Sequence, residues 1–305
     1  MNTEAEAVAK LATENADTQI VPIERGNVDK CDVLAVPNGF RLESLKKFVD
    51  EYRPVPERKT GTAILRELDS FITHTNRFKD GNSVVFADPN PDKPRLLTVF
   101  DYNEQGAGSP RWGEHRAKYP FPLSEEWKAW RDLNTKPMSQ DQFAHFLEDR
   151  ITDVVAPENA GESGKAFVAQ LGCEFASPSR LLELSKGLSV FVAAQVANHV
   201  NLGSGETQIV FAESHSASQG GKGQLKVPGA FLLGLPVFKS GTPYQVAARL
   251  RYRVREGSIT WFYTLYRTDR VFDHAFKEAC AETSKKTELP VLVGRPEFVE
   301  GREDE

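Results

Sequence analysis

The sequence has few of the residues that build a disulfide framework or a zinc ribbon. Only three of its 305 residues are cysteine, and Cys31, Cys173 and Cys280 are far apart and without CxxC spacing. An odd, scattered set of thiols is typical of a protein in a reducing compartment, and it excludes a disulfide scaffold. We therefore expect a cytoplasmic protein.

Signals for membrane insertion and export are also missing. The longest apolar-rich run, residues 181–200, is interrupted by Glu183 and Lys186, so it does not qualify as a membrane span. The first fifteen residues contain acids and no apolar block, so we expect no secretory signal and no membrane contact. The net charge of −5 argues against a protein that coats nucleic acid with its whole surface, but it is compatible with a local basic patch.

Motifs for catalysis and metal binding are scarce. The stretch 161–166, GESGKA, fails the phosphate-loop pattern twice, because Asn stands where the first glycine is required and Ala follows the lysine. His145, Glu148 and Asp149 lie within one predicted helical turn, on the side away from its apolar stripe, so they indicate a solvated surface. The Ser-His-Ser run at 214–216 lacks a nucleophile elbow. We expect no enzyme activity, no catalytic residue, no cofactor and no metal.

What the chain does have is a basic hairpin near its C-terminus. Residues 246–267 form two runs of strand-forming residues around Glu256-Gly257, an acid-glycine pair typical of a two-residue turn. Alternation along paired strands sorts the side chains onto two faces. The predicted core face holds Val246, Ala248, Leu250, Tyr252 and Val254 opposite Ile259, Trp261, Tyr263 and Leu265. The other face, which we call the arginine face, holds Arg249, Arg251, Arg253 and Arg255 opposite Thr260, Phe262, Thr264 and Tyr266.

This arginine face has three interpretations. Guanidinium groups interleaved with aromatic rings are typical of a platform on which unpaired bases stack while cations hold phosphates. Alternatively, carboxylates from a covering helix or a neighbouring subunit meet the arginines, because like charges along one strand repel each other. Plain solvation is the third interpretation. The candidate nucleic-acid or interface residues are Arg249, Arg251, Arg253, Arg255, Phe262 and Tyr266, together with Lys222 in the glycine-rich loop 218–224.

Helical patterns dominate residues 115–155. Ser124 is placed to cap one helix, and Ser139 with Gln142 matches the capping box of a second. Apolar residues recur at helical spacing from position 143 to position 155, which predicts that the second helix continues to the end of this block.

The wider pattern predicts an α+β fold. It has a helical N-terminal half with a β-hairpin at 83–102, and a C-terminal antiparallel sheet backed by two helices. One of these helices begins at Ser177, and the closing helix is capped by Thr268 or Asp269. The expected regions, which are also compatible with one continuous domain, are an N-terminal helical and hairpin region at 1–156, a linker at 157–176 and a C-terminal α+β region at 177–305.

Two segments of the chain are distinctive, RWGEHRAKYPFPLSEEWKAW (111–130) and MSQDQFAHFLED (138–149). Together they resemble the YfdQ-like family of bacteriophage and prophage proteins, and the segments 32–45 and 68–78 are also similar to that family's N-terminal pattern. The resemblance implies a phage or prophage origin and a cytoplasmic product encoded among genes of phage DNA metabolism. The family is one of unknown function, so the resemblance carries no catalytic residues over to this chain.

Two function hypotheses follow. The first is a phage-encoded, non-enzymatic, homo-oligomeric accessory protein that contacts single-stranded nucleic acid through the arginine face. The second is a self-assembling structural protein, such as a ring, scaffold or capsid-like shell, with the arginine face at a subunit interface; the acidic balance and the Ala/Glu-rich segment 2–14 favour it. The expected partners are other copies of the chain and single-stranded DNA.

Overall fold

A computed structural model describes most of the chain from residue 51 onwards and three short strands before it. The described residues are 19–23, 31–35, 43–44, 51–186, 211–212, 216–218, 224–255 and 258–297. The chain divides into two compact units, Met1–Gly61 and Thr62–Glu305. The Ala/Glu-rich segment 2–14 lies outside the described residues.

The first unit contains a small antiparallel sheet. Its strands, in spatial order, are β1 (Gln19–Ile23), β2 (Cys31–Ala35) and β3 (Glu43–Ser44).

The second unit contains two large sheets. The first has the order β17-β5-β6-β7-β4 and consists of β4 (Gly61–Ile64), β5 (Val84–Asp88), β6 (Arg95–Val99), β7 (His115–Pro120) and β17 (Val291–Val293). The antiparallel pair β5-β6 confirms the predicted hairpin, and β17 adds to it in parallel along the outer edge of β5. The hairpin is therefore part of a larger sheet that also includes the C-terminal strand.

The second large sheet has seven strands. Its main path is β10-β14-β15-β16-β8, with β9 paired to β14 and β11 paired to β15. These strands are β8 (Met138–Ser139), β9 (Val154–Val155), β10 (Phe175–Ala176), β11 (Phe211–Ala212), β14 (Ala230–Pro236), β15 (Pro243–Arg255) and β16 (Ser258–Leu265). All pairs are antiparallel except β10-β14. The remaining strands, β12 (Ser216–Ser218) and β13 (Gln224–Lys226), pair with each other.

Five helices are described in full. They are α1 (Leu68–Phe78), α2 (Glu125–Asp132), α3 (Gln140–Arg150), α4 (Glu162–Leu171) and α5 (Thr268–Thr287). A further helix begins at residue 178 and is described as far as residue 186, and the Ser177 hydroxyl accepts a hydrogen bond from the Arg180 N–H at 3.3 Å. The predicted α+β class, with helices and a C-terminal antiparallel sheet, is confirmed.

The predicted helix starts at Ser124 and Ser139 are also confirmed. The Ser124 hydroxyl accepts the backbone N–H of Trp127 at 2.9 Å. At α3, the Ser139 hydroxyl accepts the Gln142 N–H at 3.3 Å while the Gln142 side chain accepts the Ser139 N–H at 3.0 Å. This reciprocal pairing satisfies two backbone donors that the first helical turn leaves without partners.

The prediction of continuous helix through residue 155 is wrong at both ends of the block. Residues 115–120 form β7, where Ala117 and Tyr119 alternate inward at strand spacing. Helix α3 ends at Arg150, and one 3-10 turn leads into β9, which pairs with β14. The β-branched residues of β9 find backbone partners in a sheet, and this pairing outweighs their helical spacing.

Two further segments differ from the sequence-based expectation. Helix α5 starts at Thr268 after a left-handed Arg267 with φ of 51°, so neither Thr268 nor Asp269 caps it. Residues 157–176, assigned above to a linker, contain a 3-10 turn, α4 and β10. Gly161 occupies the N-cap of α4.

One continuous apolar core joins the inner faces of both large sheets to α1, α2, α3 and α5. Its largest fully buried side chains include Trp130, Trp261 and Tyr263. The Tyr263 hydroxyl donates to the Trp130 carbonyl at 2.7 Å, and the Trp130 indole N–H donates to the Asp153 carboxylate at 2.8 Å. Burial raises the pKa of Asp153 above its ordinary value, because the core disfavours a charged carboxylate. This set of hydrogen bonds therefore includes a carboxyl group whose burial destabilises its ionised form.

Because the pKa of Asp153 is raised, we predict that the free energy of unfolding depends on pH. Because the folded protein holds this proton more tightly than the unfolded chain, the free energy of unfolding falls as pH rises from the ordinary value of 3.8 through the raised folded pKa. Asp153→Asn keeps an oxygen acceptor for Trp130 and removes the titration. We expect its stability relative to wild type to increase with pH, by about 1.4 kcal/mol for each pKa unit of difference.

Urea denaturation across the acid to neutral range measures this difference. Asp153→Ala serves as the control, because it leaves the buried indole N–H without a partner and should lose about 1–3 kcal/mol at every pH. Parallel pH profiles for wild type and Asp153→Asn would contradict the prediction.

Candidate nucleic-acid interface

The register of the β15-β16 hairpin determines which residues share a face. Ala248 pairs with Leu265 at one end and Arg255 pairs with Ser258 at the other, which leaves Glu256-Gly257 as a two-residue connection. These two residues lie outside the described part of the chain. The pairing in between places the arginines and the core residues on opposite faces, so the predicted separation into two faces is confirmed.

The core face of the hairpin packs against α2 and α3. Trp261 and Tyr263 are fully buried. The Trp261 ring stacks on Phe143 of α3 with a centroid distance of 5.0 Å, and Tyr263 meets Trp130 of α2 edge-on at 5.2 Å. This packing anchors one side of the sheet, so the arginine face must point the other way.

The four arginines occupy alternate positions along the opposite face of β15. Arg251 and Arg255 are exposed, whereas Arg249 and Arg253 are half-buried and each interacts within the protein. The Arg253 guanidinium lies 5.6 Å from the centre of the Phe262 ring, a cation–π geometry. At about 3.3 Å per residue, the row from Arg249 to Arg255 extends about 20 Å.

Every described residue that pairs with these arginines in the sheet is uncharged. On β16 the partners are Thr264, Phe262, Thr260 and Ser258. On the other edge, Ala230 of β14 is opposite Arg249 and Phe211 of β11 is opposite Arg253. These described partners therefore contribute no carboxylate in register with the arginines.

Helix α4 covers the N-terminal end of this face. The Gln245 side-chain oxygen accepts the backbone N–H groups of Gly161 and Gly164, each at 3.0 Å, at the start of the helix. A Cβ on Gly164 would lie 2.5 Å from that oxygen and 2.8 Å from the Leu232 side chain, so only glycine allows this approach. This contact was not predicted from the sequence, although the two glycines of GESGKA are a signal for it.

The contact with α4 gives Tyr266 a different environment from Phe262. Tyr266 packs, half-buried, with the apolar cluster that includes Ala247 and Phe167 beneath α4. At the same border, burial raises the pKa of the Cys173 thiol while the positive charge of Arg249 acts in the opposite direction. The ring best placed among the arginines is therefore that of Phe262.

In the described part of the chain, the remaining candidate residues add no contact to the arginine face. Lys222 lies outside the described residues, as does His215. His145 on α3 is exposed and its Nδ1 is 3.6 Å from a Glu148 oxygen, while Lys186 forms a second ion pair with Glu148. Across the described ranges, no group of three or more His, Cys, Asp or Glu side chains is arranged to hold a metal ion. No helix in the same ranges is long and apolar enough to cross a membrane.

Comparison with known proteins gives a family and nothing more. A protein-family model described as "Uncharacterized conserved protein (DUF2303)" matches residues 1–296. The chain belongs to this family. No curated protein and no solved structure matches the chain. The DUF2303 description assigns no activity, so the interpretation of the arginine face rests on its chemistry.

The contact between Gln245 and α4 makes a testable prediction. Gln245→Leu removes the acceptor for two backbone N–H groups at the start of α4, so we expect this helix to open locally. Hydrogen exchange of the α4 amides should accelerate by about tenfold or more, since removing an acceptor from a partly buried site costs about 1–3 kcal/mol.

Gln245→Glu is the matched control, because a carboxylate oxygen preserves the acceptor and should preserve the protection of α4. Equal exchange rates in wild type and Gln245→Leu would show that the helix is held by its apolar cluster alone.

Proposed function

We propose that this DUF2303 protein is a phage- or prophage-encoded, non-enzymatic accessory protein that contacts single-stranded nucleic acid through the arginine face. The observation that carries the proposal is the row of four arginines on β15, of which Arg251 and Arg255 are exposed and whose described partners in the sheet are uncharged. In this proposal the protein acts in the cytoplasm as a homo-oligomer.

A nucleic-acid strand matches this surface in charge and in shape. Phosphates spaced along a strand offer anions to the exposed guanidinium groups of Arg251 and Arg255, and counterion release supplies the affinity. The Phe262 ring, with Arg253 above it, offers a surface on which a base stacks. Because neither contact reads base edges, the proposed binding tolerates different sequences.

The phage assignment is supported by the sequence resemblance. Segments 111–130 and 138–149 resemble the YfdQ-like phage and prophage proteins. The second segment forms the capping box and the buried stripe of α3. An accessory role in phage DNA metabolism is consistent with a single-strand binding surface on a protein whose net charge is −5.

Self-assembly as a structural protein is the second candidate, and a separate surface favours it. Strand β17 ends the order of the five-stranded sheet, and its Leu292 and Val293 side chains are 46% and 76% exposed. An edge strand with exposed apolar side chains is a template for pairing with another chain. In this alternative, carboxylates of a neighbouring subunit meet the arginine face.

The nucleic-acid proposal is tested by fluorescence anisotropy of a labelled single-stranded oligonucleotide titrated at several salt concentrations. Replacing Arg251 and Arg255 together with serine should weaken binding. It should also reduce the slope of log K against log salt by about 0.7 for each phosphate that the variant no longer neutralises. Phe262→Leu should cost about 1–3 kcal/mol of binding and leave that slope unchanged.

The matched control replaces Lys277 and Lys285, two exposed lysines of α5, with serine. It removes the same charge from a different surface and should leave the salt slope intact. If wild type does not bind at low salt, or if the two double variants behave alike, the arginine face is not the binding surface.

The assembly candidate is tested by light scattering over a range of protein concentrations. If β17 mediates assembly, Val293→Lys should dissociate the oligomer, because it places a charge on the pairing edge. Gln105→Lys adds the same charge to an exposed loop and should leave the mass unchanged. A monomeric wild-type protein at every concentration rules out this candidate.

A further inference from the structure

A cleft of about 690 Å³ lies at the other end of β15 from the arginine row. It is lined by the start of α1, the middle of α5 and the turn that joins β14 to β15. Tyr244, which lines it, packs with the core side of the sheet, so the cleft is on the opposite face from the arginines. Its volume is in the range of roughly 300–1,000 Å³ typical of small-molecule sites.

The floor of the cleft is aromatic and closely packed. Tyr119 and Phe121 have ring centroids 4.7 Å apart, and Phe121 and Phe238 have centroids 4.5 Å apart. Ala275 and Ala279 of α5 also line the cleft and have small side chains. Such a surface accepts an apolar or aromatic group.

The floor also carries the Tyr119 hydroxyl. Tyr119 is only 6% exposed, and its hydroxyl is not among the buried side-chain atoms that lack a hydrogen-bond partner in the described part of the chain. Burial raises the pKa of Tyr119, and the negative charge of Glu67 raises it further, which places the phenol near the Glu67 side of the cleft. A tyrosine hydroxyl in the lining can donate a hydrogen bond to a ligand bound in the cleft.

Charges of both signs line the cleft without neutralising each other. Neither Arg66 nor Lys239 makes an ion pair in the described part of the chain, although Glu67 and Glu278 line the same space. The only other lining carboxylates, Asp69 and Glu282, are both held by Lys286, which is not a lining residue. The remaining cations and carboxylates therefore stand apart.

The two remaining carboxylates have only polar or histidine contacts. Glu67 accepts the Ser70 hydroxyl at 3.3 Å. Glu278 accepts the Tyr244 hydroxyl and lies 3.4 Å from His274 Nε2. Each retains acceptor capacity for a ligand, because a carboxylate has about four lone-pair sites.

We propose that this cleft binds a zwitterionic ligand of amino-acid to short-peptide size with an apolar or aromatic side chain. Its ammonium group meets Glu67 and Glu278, and its carboxylate meets Arg66 and Lys239. The side chain lies on the Tyr119, Phe121 and Phe238 floor, where the Tyr119 hydroxyl supplies a further hydrogen bond. A ligand with both charges uses every unpaired group of the cleft, whereas a ligand with one charge leaves half of them unmatched.

The test is calorimetric titration of the full chain with three probes of the same shape. L-Phenylalanine carries both charges, phenethylamine carries only the ammonium group and 3-phenylpropionate carries only the carboxylate. We expect phenylalanine to bind at least tenfold more tightly than either single-charge probe. Equal affinity for all three, or no binding of phenylalanine, would overturn the proposal. Tighter binding of phenethylamine than of phenylalanine would also overturn it, in favour of an organic-cation site.

Three variants test the assigned roles. Lys239→Met should weaken phenylalanine and phenylpropionate binding about tenfold and leave phenethylamine binding unchanged. Glu278→Gln should weaken phenylalanine and phenethylamine binding and leave phenylpropionate binding unchanged. Tyr119→Phe keeps the ring and should weaken phenylalanine binding about fivefold. Lys277→Met, an exposed α5 change outside the cleft lining, is the control and should have no effect. If the folded Lys239→Met and Glu278→Gln variants weaken binding of the same single-charge probe, the assigned roles are wrong. Oligonucleotide binding is expected to be unaffected in each variant.

Discussion

The alternation of side chains along β15 is the constraint on which the second unit depends. This strand of thirteen residues is hydrogen-bonded to β16 along one edge and to β14 and β11 along the other. A slip of one residue would exchange its two faces, placing Arg251 in the core and Leu250 outside. The stacking of Trp261 on Phe143 and the hydrogen bond from Tyr263 to Trp130 hold the register, because each fits only one face.

The two faces of this strand therefore differ in chemistry for a structural reason. On the core side, aromatic rings and a few buried hydrogen bonds fill the space between the sheet and helices α2 and α3. On the other side, a smaller apolar cluster beneath α4 reaches Ala247, and the arginine row begins at the next outward position. The helix contact and the basic surface thus divide one face between packing and charge. The proposed ligand cleft uses the core side at the opposite end, near Tyr244.

Local patterns in the sequence were sufficient to predict the hairpin register, the helix caps at Ser124 and Ser139, and the α+β class, because a turn, an alternation or a cap involves neighbouring residues. Features set by distant contacts were not predictable in this way. The chain leaves α3 at Arg150 because β9 finds a partner in β14. Likewise, the fit of Gly164 against Gln245 joins positions 81 residues apart. For the candidate site, the pattern predicted which residues share the arginine face, but not that Tyr266 packs beneath α4.

The placement of β17 has a consequence for how the protein is made. This last strand adds to the edge of β5, and just beyond it Arg295 forms an ion pair with Asp88, 207 positions earlier in the chain. The five-stranded sheet therefore cannot close until residues 291–293 have emerged from the ribosome. Until then the edge of β5, with the buried residues Val85 and Phe86, is open to pairing with other chains. A chain that stops before Val291 would therefore be prone to aggregation even though both halves of the arginine hairpin had been synthesised.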